Sequence, residues 1–350
     1  MNRTIVLTLA LAVVTAGVLA AGSSGARQDQ RTIGLVLPDP NTGAPLSTPV
    51  KSGGSTAASA LGDHLVVIPA DGPGAITSAV KSLIARHAGA IVVNTDQGAE
   101  TVKQILPALA KARKARIPTL SYDQRIPGTV WVTGSTPHQY AQALADALAS
   151  QMGGTGQYAI IGQQGQQPIA NRWQKLIASY VARQYPSMKL IKVVRGTGAG
   201  NETEVATVKQ FIAVHPKLRG LLGVVPTEGY MVANAIIQAH KIGKIFASGN
   251  GGICPPLDVD QARYVRDGAE EIVCAGDPVK LGYLVVWAAD HLASGHTIAP
   301  GSYAVGGPVG TVTYDAKHQD LPLGQPLTIT KANLAQYAGQ PCPPGTTYPC

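Results

Sequence analysis

The stretch ARIPTLSYDQRIPG, residues 115–128, is where the reading of the fold begins. Ile117 to Leu120 reads as a buried strand arriving after a helix. Upstream, Val102, Ile105, Leu106 and Leu109 recur at i, i+3, i+4 and i+7, which makes one apolar helical stripe. Where the strand stops stand Tyr122, Asp123, Gln124 and Arg125, followed by the turn signal Pro127-Gly128. A carboxylate, an amide and a guanidinium in a row at that place are either an ordinary polar turn or the floor of a binding site.

The same alternation extends in both directions. Apolar runs at 33–37, 65–68 and 90–93 precede it, separated by amphipathic segments. Beyond it come runs at 158–161, 190–194, 221–225 and 245–247, with helical stripes between them, and a last long helix at about 278–294. Strand, helix, strand at this spacing predicts βαβ units and parallel sheets. The pattern predicts an α/β chain with two sheets, joined near VWVTGST (residues 130–136). In open parallel sheets ligands bind outside the carboxyl ends of the strands. Asp39, Asp123, Gln163, Thr227 and Asn250 all fall at such ends. Each alone reads as a turn residue; five in the same relative place point to a shared crevice, with Tyr122 as a wall.

The 350 residues suggest two domains of about 150 each. Residues 1–26 read as a signal peptide: Arg3, an apolar run from Ile5, then small residues. Gly22 stands where a lipidated cysteine would be, so the expectation is a periplasmic protein without a lipid anchor. An exported chain meets an oxidising compartment. Of the three connectivities open to four cysteines, the pairs Cys254–Cys274 and Cys342–Cys350 are favoured. No metal-ligand spacing accompanies them, and the histidines are dispersed. The net charge of +8 is spread along the chain apart from KARKAR (residues 111–116), which argues against a nucleic-acid partner. No nucleophile elbow or zinc-protease motif points to an enzyme, and no cofactor motif is present.

Six segments carry a family resemblance: TIGLVLPDPNTG, HAGAIVVNTD, IPTLSYDQ, NRWQKLIASYVARQYPSMKL, HPKLRGLLGVVPTEGYMVANAIIQAHKIGK and DPVKLGYLVVWAADHLASG. Together they resemble the type I periplasmic solute-binding proteins of ABC importers, in the ribose-binding-protein group, nearest to the branch that binds autoinducer-2 and rhamnose. The resemblance implies a two-lobe fold, each lobe a parallel sheet flanked by helices, with a hinge of three crossovers and a ligand in the cleft. It implies an N-terminal lobe of residues 31–134 plus about 273–305, a C-terminal lobe of 135–272, and a C-terminal extension of 306–350 holding the second cysteine pair. It makes Asp123 an acceptor for ligand hydroxyls and adds Asn171 and Asp277 as ligand contacts. This sequence departs from the pattern at Gly276, where a Trp is usual, and at Ala44-Pro45, in place of an aromatic pair. The implied function is capture of a small polar, sugar-like ligand for the membrane subunits of an ABC permease. A ligand-presenting sensory protein acting with a receptor kinase is the alternative on the same scaffold.

Overall fold

The computed structural model describes residues 30–42, 46–95, 98–163, 168–196, 200–254, 257–317 and 319–337. The signal segment and the Cys342–Cys350 pair lie outside the described residues.

The first half alternates as the apolar runs predict: β1 (Thr32–Leu37), α1 (Ser47–Leu61), β2 (His64–Pro69), α2 (Gly72–Ala85), β3 (Ala90–Val93), α3 (Ala99–Lys114), β4 (Thr119–Tyr122) and β5 (Val130–Thr133). The second half follows with α4 (Pro137–Met152), β6 (Gly156–Gln163), α5 (Pro168–Gln184), β7 (Met188–Gly196), α6 (Glu202–Val214), β8 (Leu218–Gly223), α7 (Pro226–Gln238), β9 (Phe246–Gly252), α8 (Val259–Asp267) and β10 (Glu271–Cys274). Then come α9 (Pro278–Ala293), the hairpin β11 (Gly301–Gly306) and β12 (Gly310–Tyr314), and two short strands, β13 (Asp320–Pro322) and β14 (Leu327–Ile329).

Two six-stranded sheets result, in the orders β13-β5-β4-β3-β1-β2 and β14-β10-β9-β8-β6-β7. The five strands that each half contributes repeat one winding order, and only β14 runs antiparallel to its neighbour. In such a winding the order reverses beside the first strand of each half, where a crevice opens at the carboxyl ends. Both faces of each sheet are covered, so β3 reads AIVV with every residue buried. On the first sheet, α1 and α9 cover one face and α2 and α3 the other. On the second, α4 and α5 lie opposite α6 and α7.

The segment from 306 onward differs from the expected extension. β13 extends the first sheet beside β5, and β14 extends the second beside β10. Both are only three residues long, too short for a periodic signal. Helix α9 follows the second sheet in sequence yet packs on α1. The contact is close because each helix turns a glycine to the other's backbone: a Cβ on Gly53 would stand 1.8 Å from the Val279 carbonyl oxygen, and one on Gly282 would stand 2.1 Å from the Val50 carbonyl oxygen. Arg31, just before β1, fastens the far end of α9 by donating to Asp290 Oδ1 from Nε at 3.0 Å and Nη2 at 2.5 Å.

The chain thus passes between the sheets three times, at residues 134–136, 275–277 and 323–326. The Leu323 and Gly324 amides donate to the Thr133 and Gly134 carbonyls at 2.7 and 3.0 Å. A Cβ on Gly134 would lie 2.6 Å from the Ala275 carbonyl oxygen, and one on Gly276 would lie 3.1 Å from the Gly134 Cα. That approach accounts for the glycines at both positions. The first two crossings enter helices through side-chain caps. Thr136 and Gln139 form a capping box on α4, and Asp277 Oδ1 accepts from the Val279 and Lys280 amides of α9.

Cys254 and Cys274 are joined, as expected, with their Cα atoms 5.0 Å apart. The bond ties the end of β10 to the chain leaving β9, and both cysteines are buried. Serine at both positions is expected to lower the urea-unfolding free energy by about 3 kcal/mol, the chain-entropy value for a loop of this order. An unchanged midpoint would refute the brace.

Glu270, immediately before β10, is 4% exposed, and its Oε2 has no hydrogen-bond partner among the described residues. Burial first, and the Asp258 charge second, push its carboxyl up to about 8. The folded state therefore holds this proton more tightly than the unfolded chain does. Its contribution is complete below the ordinary carboxylate range and is lost as pH rises through about 8. Glu270→Gln should match the parent's melting temperature near pH 5 and exceed it near pH 9. A difference independent of pH would contradict the assignment.

Candidate binding site

The first two crossings leave their sheets at strand carboxyl ends, those of β5 and β10. The carboxyl edges of both sheets therefore border the same junction. Along the first edge, in sheet order, come Asp123 after β4, Asn94 after β3, Asp39 after β1 and Asp71 after β2. Along the second come Cys274 of β10, Asn250 of β9, the β8–α7 turn with Thr227, Gln163 of β6 and Gly196 of β7.

Asp123 is solvent-exposed and takes a left-handed backbone conformation, φ +57°. Asp and Asn enter that region more readily than most side chains. Its amide donates to the Val132 carbonyl at 3.2 Å, and its carbonyl accepts from Trp131 Nε1 at 3.1 Å. Below it, Ser121 Oγ and Thr129 Oγ1 lie 2.8 Å apart, and the Ile126 amide donates to Ser121 Oγ. The loop is thus closed at its root and held above by β5.

Opposite stands Tyr140 of α4, buried at 2% exposure. Its hydroxyl donates to Asn250 Oδ1 at 2.5 Å and to the Val273 carbonyl at 2.8 Å. Asn250 Nδ2 donates to the Val224 carbonyl at 2.6 Å, and Asn250 Oδ1 also accepts the Gly252 amide at 2.7 Å. One knot therefore joins α4 to the ends of β8, β9 and β10. Burial pushes the Tyr140 phenol upward; the Gly252 and Gly251 amides oppose this, and the Asp123 charge adds to it.

The remaining candidates divide. Thr227 is in the first turn of α7, half-buried, and its Oγ1 has no hydrogen-bond partner among the described residues. Behind it Glu228 is fully buried, with Oε2 accepting the Val225 amide. Burial raises the Glu228 carboxyl to about 7; the Val225 amide lowers it, and the nearby Glu204 adds a smaller push upward. Asn171 is half-buried on α5 and lines a shallow depression of about 400 Å³ with Arg172, Lys175, Leu176 and Ser179. Asp39 Oδ1 accepts from the Asn41 amide and Nδ2, both at 2.9 Å, and the Asp39 amide donates to Asp71 Oδ1. Gln163 ends β6, and its side chain lies outside the described set.

Three candidates take structural places instead. Tyr122 is 0% exposed, packed in the core with Leu35, Leu37 and Val132, because it is the last residue of a strand buried on both faces and Asp123 is the first residue beyond it. Asn250 is only 3% exposed and occupied by the Tyr140 knot. Asp277 caps α9. Tyr140 and Trp131 are bonded to these strand ends and are not among the sequence candidates. Tyr140 looks like any apolar helix position, and Trp131 like any strand residue.

The periplasmic binding protein domain model matches residues 33–297. No curated protein matches the chain. Among solved structures, a sugar ABC transporter protein from Actinomyces odontolyticus aligns with a TM-score of 0.75 at 21% identity, covering 88% of this chain and 97% of its own. A solute-binding protein from Clostridium phytofermentas with bound L-rhamnose aligns at 0.65 and 20%, covering 88% and 98%. One from Actinobacillus succinogenes with bound D-allose aligns at 0.64 and 18%, covering 88% and 100%. The last three share the fold; the domain match, over most of the chain, gives the family. The paired sheets, their common junction and that match together place the chain in the periplasmic binding protein family, a family of binding proteins and not of enzymes.

Proposed function

We propose that this protein captures a small, hydroxyl-rich ligand between the two carboxyl edges and presents it to the membrane subunits of an ABC importer. The observation that carries the reading is Asp123: an exposed carboxylate at a strand's carboxyl end, held in a left-handed turn on the edge that borders the junction. An ionised carboxylate only accepts hydrogen bonds, so it suits two hydroxyl donors on one ligand. Thr227 and Asn171 stand on the second sheet's side as further contacts. Bound L-rhamnose and D-allose in proteins of the same fold favour a sugar or sugar-like molecule. The N-terminal apolar segment fits export to the compartment where such proteins work, and no helix among the described residues is long and apolar enough to cross a membrane.

Closure follows from the crossings. Lobes linked by three short backbone segments move as hinge-connected bodies. Ligand should favour the closed form and raise thermal stability as RT ln(1 + [L]/Kd). A thermal-shift panel of L-rhamnose, D-allose and D-arabinose identifies a binder. Small-angle scattering with that sugar should then give a smaller radius of gyration, and an unchanged radius would argue for a rigid module.

Asp123→Asn keeps the size and the tolerance for φ +57° but exchanges an acceptor oxygen for a donor nitrogen. Affinity should fall by about 1.5–3 kcal/mol, the range for a hydrogen bond to a charged group, while the ligand-free melting temperature stays put. Calorimetric titration showing normal affinity would remove Asp123 from the site.

A further inference from the structure

We infer that Trp131 is a positioning residue for binding: its indole N–H holds the main chain of Asp123 in the left-handed conformation that sets the direction of its carboxylate. The inference rests on Asp123 being a ligand contact, and it adds a residue and a mechanism to that reading.

Five non-glycine residues have positive φ among the described residues: His87, Arg116, Asp123, His240 and Gln319. His87, Arg116 and His240 come just past the ends of α2, α3 and α7, where left-handed residues ordinarily close helices, and Gln319 lies in the turn before β13. Asp123 differs. It directly follows a parallel strand, whose own backbone habit is extended. Something outside the strand must hold it, and two groups do so from β5. The Val132 carbonyl takes the Asp123 amide, and Trp131 Nε1 donates to the Asp123 carbonyl.

Trp131 is itself fixed. It is 6% exposed, and its register partner in β13 is Asp320. The Arg125 guanidinium lies 5.6 Å from its ring centroid, and Arg125 Nη2 donates to Gln319 Oε1 at 3.2 Å. The indole is thus a rigid donor between a core strand and a loop that carries charge. Without its N–H, the Asp123 carbonyl loses its partner and the residue can return to extended geometry. Because Cβ direction follows φ and ψ, the carboxylate would leave the direction it has in the parent.

Trp131→Phe keeps an aromatic ring and removes the donor. Carbon chemical shifts of residue 123 in the ligand-free protein report its backbone region. Left-handed values in the parent and extended or averaged values in Trp131→Phe are expected; identical left-handed values in both overturn the inference. If the variant does not fold, exchange of the Trp131 indole proton in the parent decides: slow exchange supports the held carbonyl, and exchange at the rate of a free indole overturns it. Calorimetry with L-rhamnose, D-allose and D-arabinose supplies the functional arm. With a binding sugar, Trp131→Phe should weaken affinity about tenfold in the parent and under twofold in Asp123→Asn. Equal losses in both backgrounds would show that Trp131 acts through something other than Asp123. Binding of none of the three sugars would count against the sugar reading, while the ligand-free measurements still decide the role of Trp131.

Discussion

Everything in this molecule depends on backbone meeting backbone where the chain crosses between its sheets. Gly134 lies so close to Ala275 and Gly276 that neither glycine has room for a side chain, and Leu323 and Gly324 are hydrogen-bonded alongside. This contact brings three segments, distant in sequence, to one place. It also sets where each sheet ends. β5 and β10 deliver their carboxyl ends to the junction, and Thr136 and Asp277 start the next helices at once. Binding groups at strand ends are therefore gathered without any long loop to carry them.

Rigidity is distributed unevenly around that junction. On the second sheet, the Tyr140 knot, the Cys254–Cys274 bond and the Ala275 amide's bond to the Gly252 carbonyl fix the ends of β9 and β10 together. On the first, the Asp123 loop is closed by Ser121 and Thr129 and held by Trp131. Ala275 and Gly276 lie between the two braced regions with little side chain to resist torsion. A hinge works best when bending falls on few residues and the surfaces it brings together keep their shape. Binding energy then goes into ligand contacts rather than into ordering the walls.

Much of this was legible in the sequence. Runs such as AIVV, bounded by helical stripes, fix the parallel sheets because a strand buried on both faces has no polar register to show. Asp123 was legible because a charge directly after such a run marks its carboxyl end. The failures have equally physical causes. Adjacency to Asp123 points to Tyr122, but the strand ends between them, and its last residue belongs to a core that covers both faces. Asn250 was assigned by polarity, although polarity cannot reveal that a tyrosine 110 residues earlier would occupy it. β13 and β14 leave no pattern at three residues each, since their places come from partners already formed. The Trp131 hydrogen bond runs from β5 to the loop after β4, a relation that no linear spacing encodes.

The return of α9 to the first half has a consequence in time. One apolar face of the first sheet, including Leu35, Leu37, Leu120 and Tyr122, is covered by α1 together with α9. The ribosome completes α9 only at Ala293, after β6 to β10 of the second sheet have been made. The edge strand β13 comes later still. The N-terminal half thus cannot finish folding while it is the only part synthesised, even though its five strands are the first to appear.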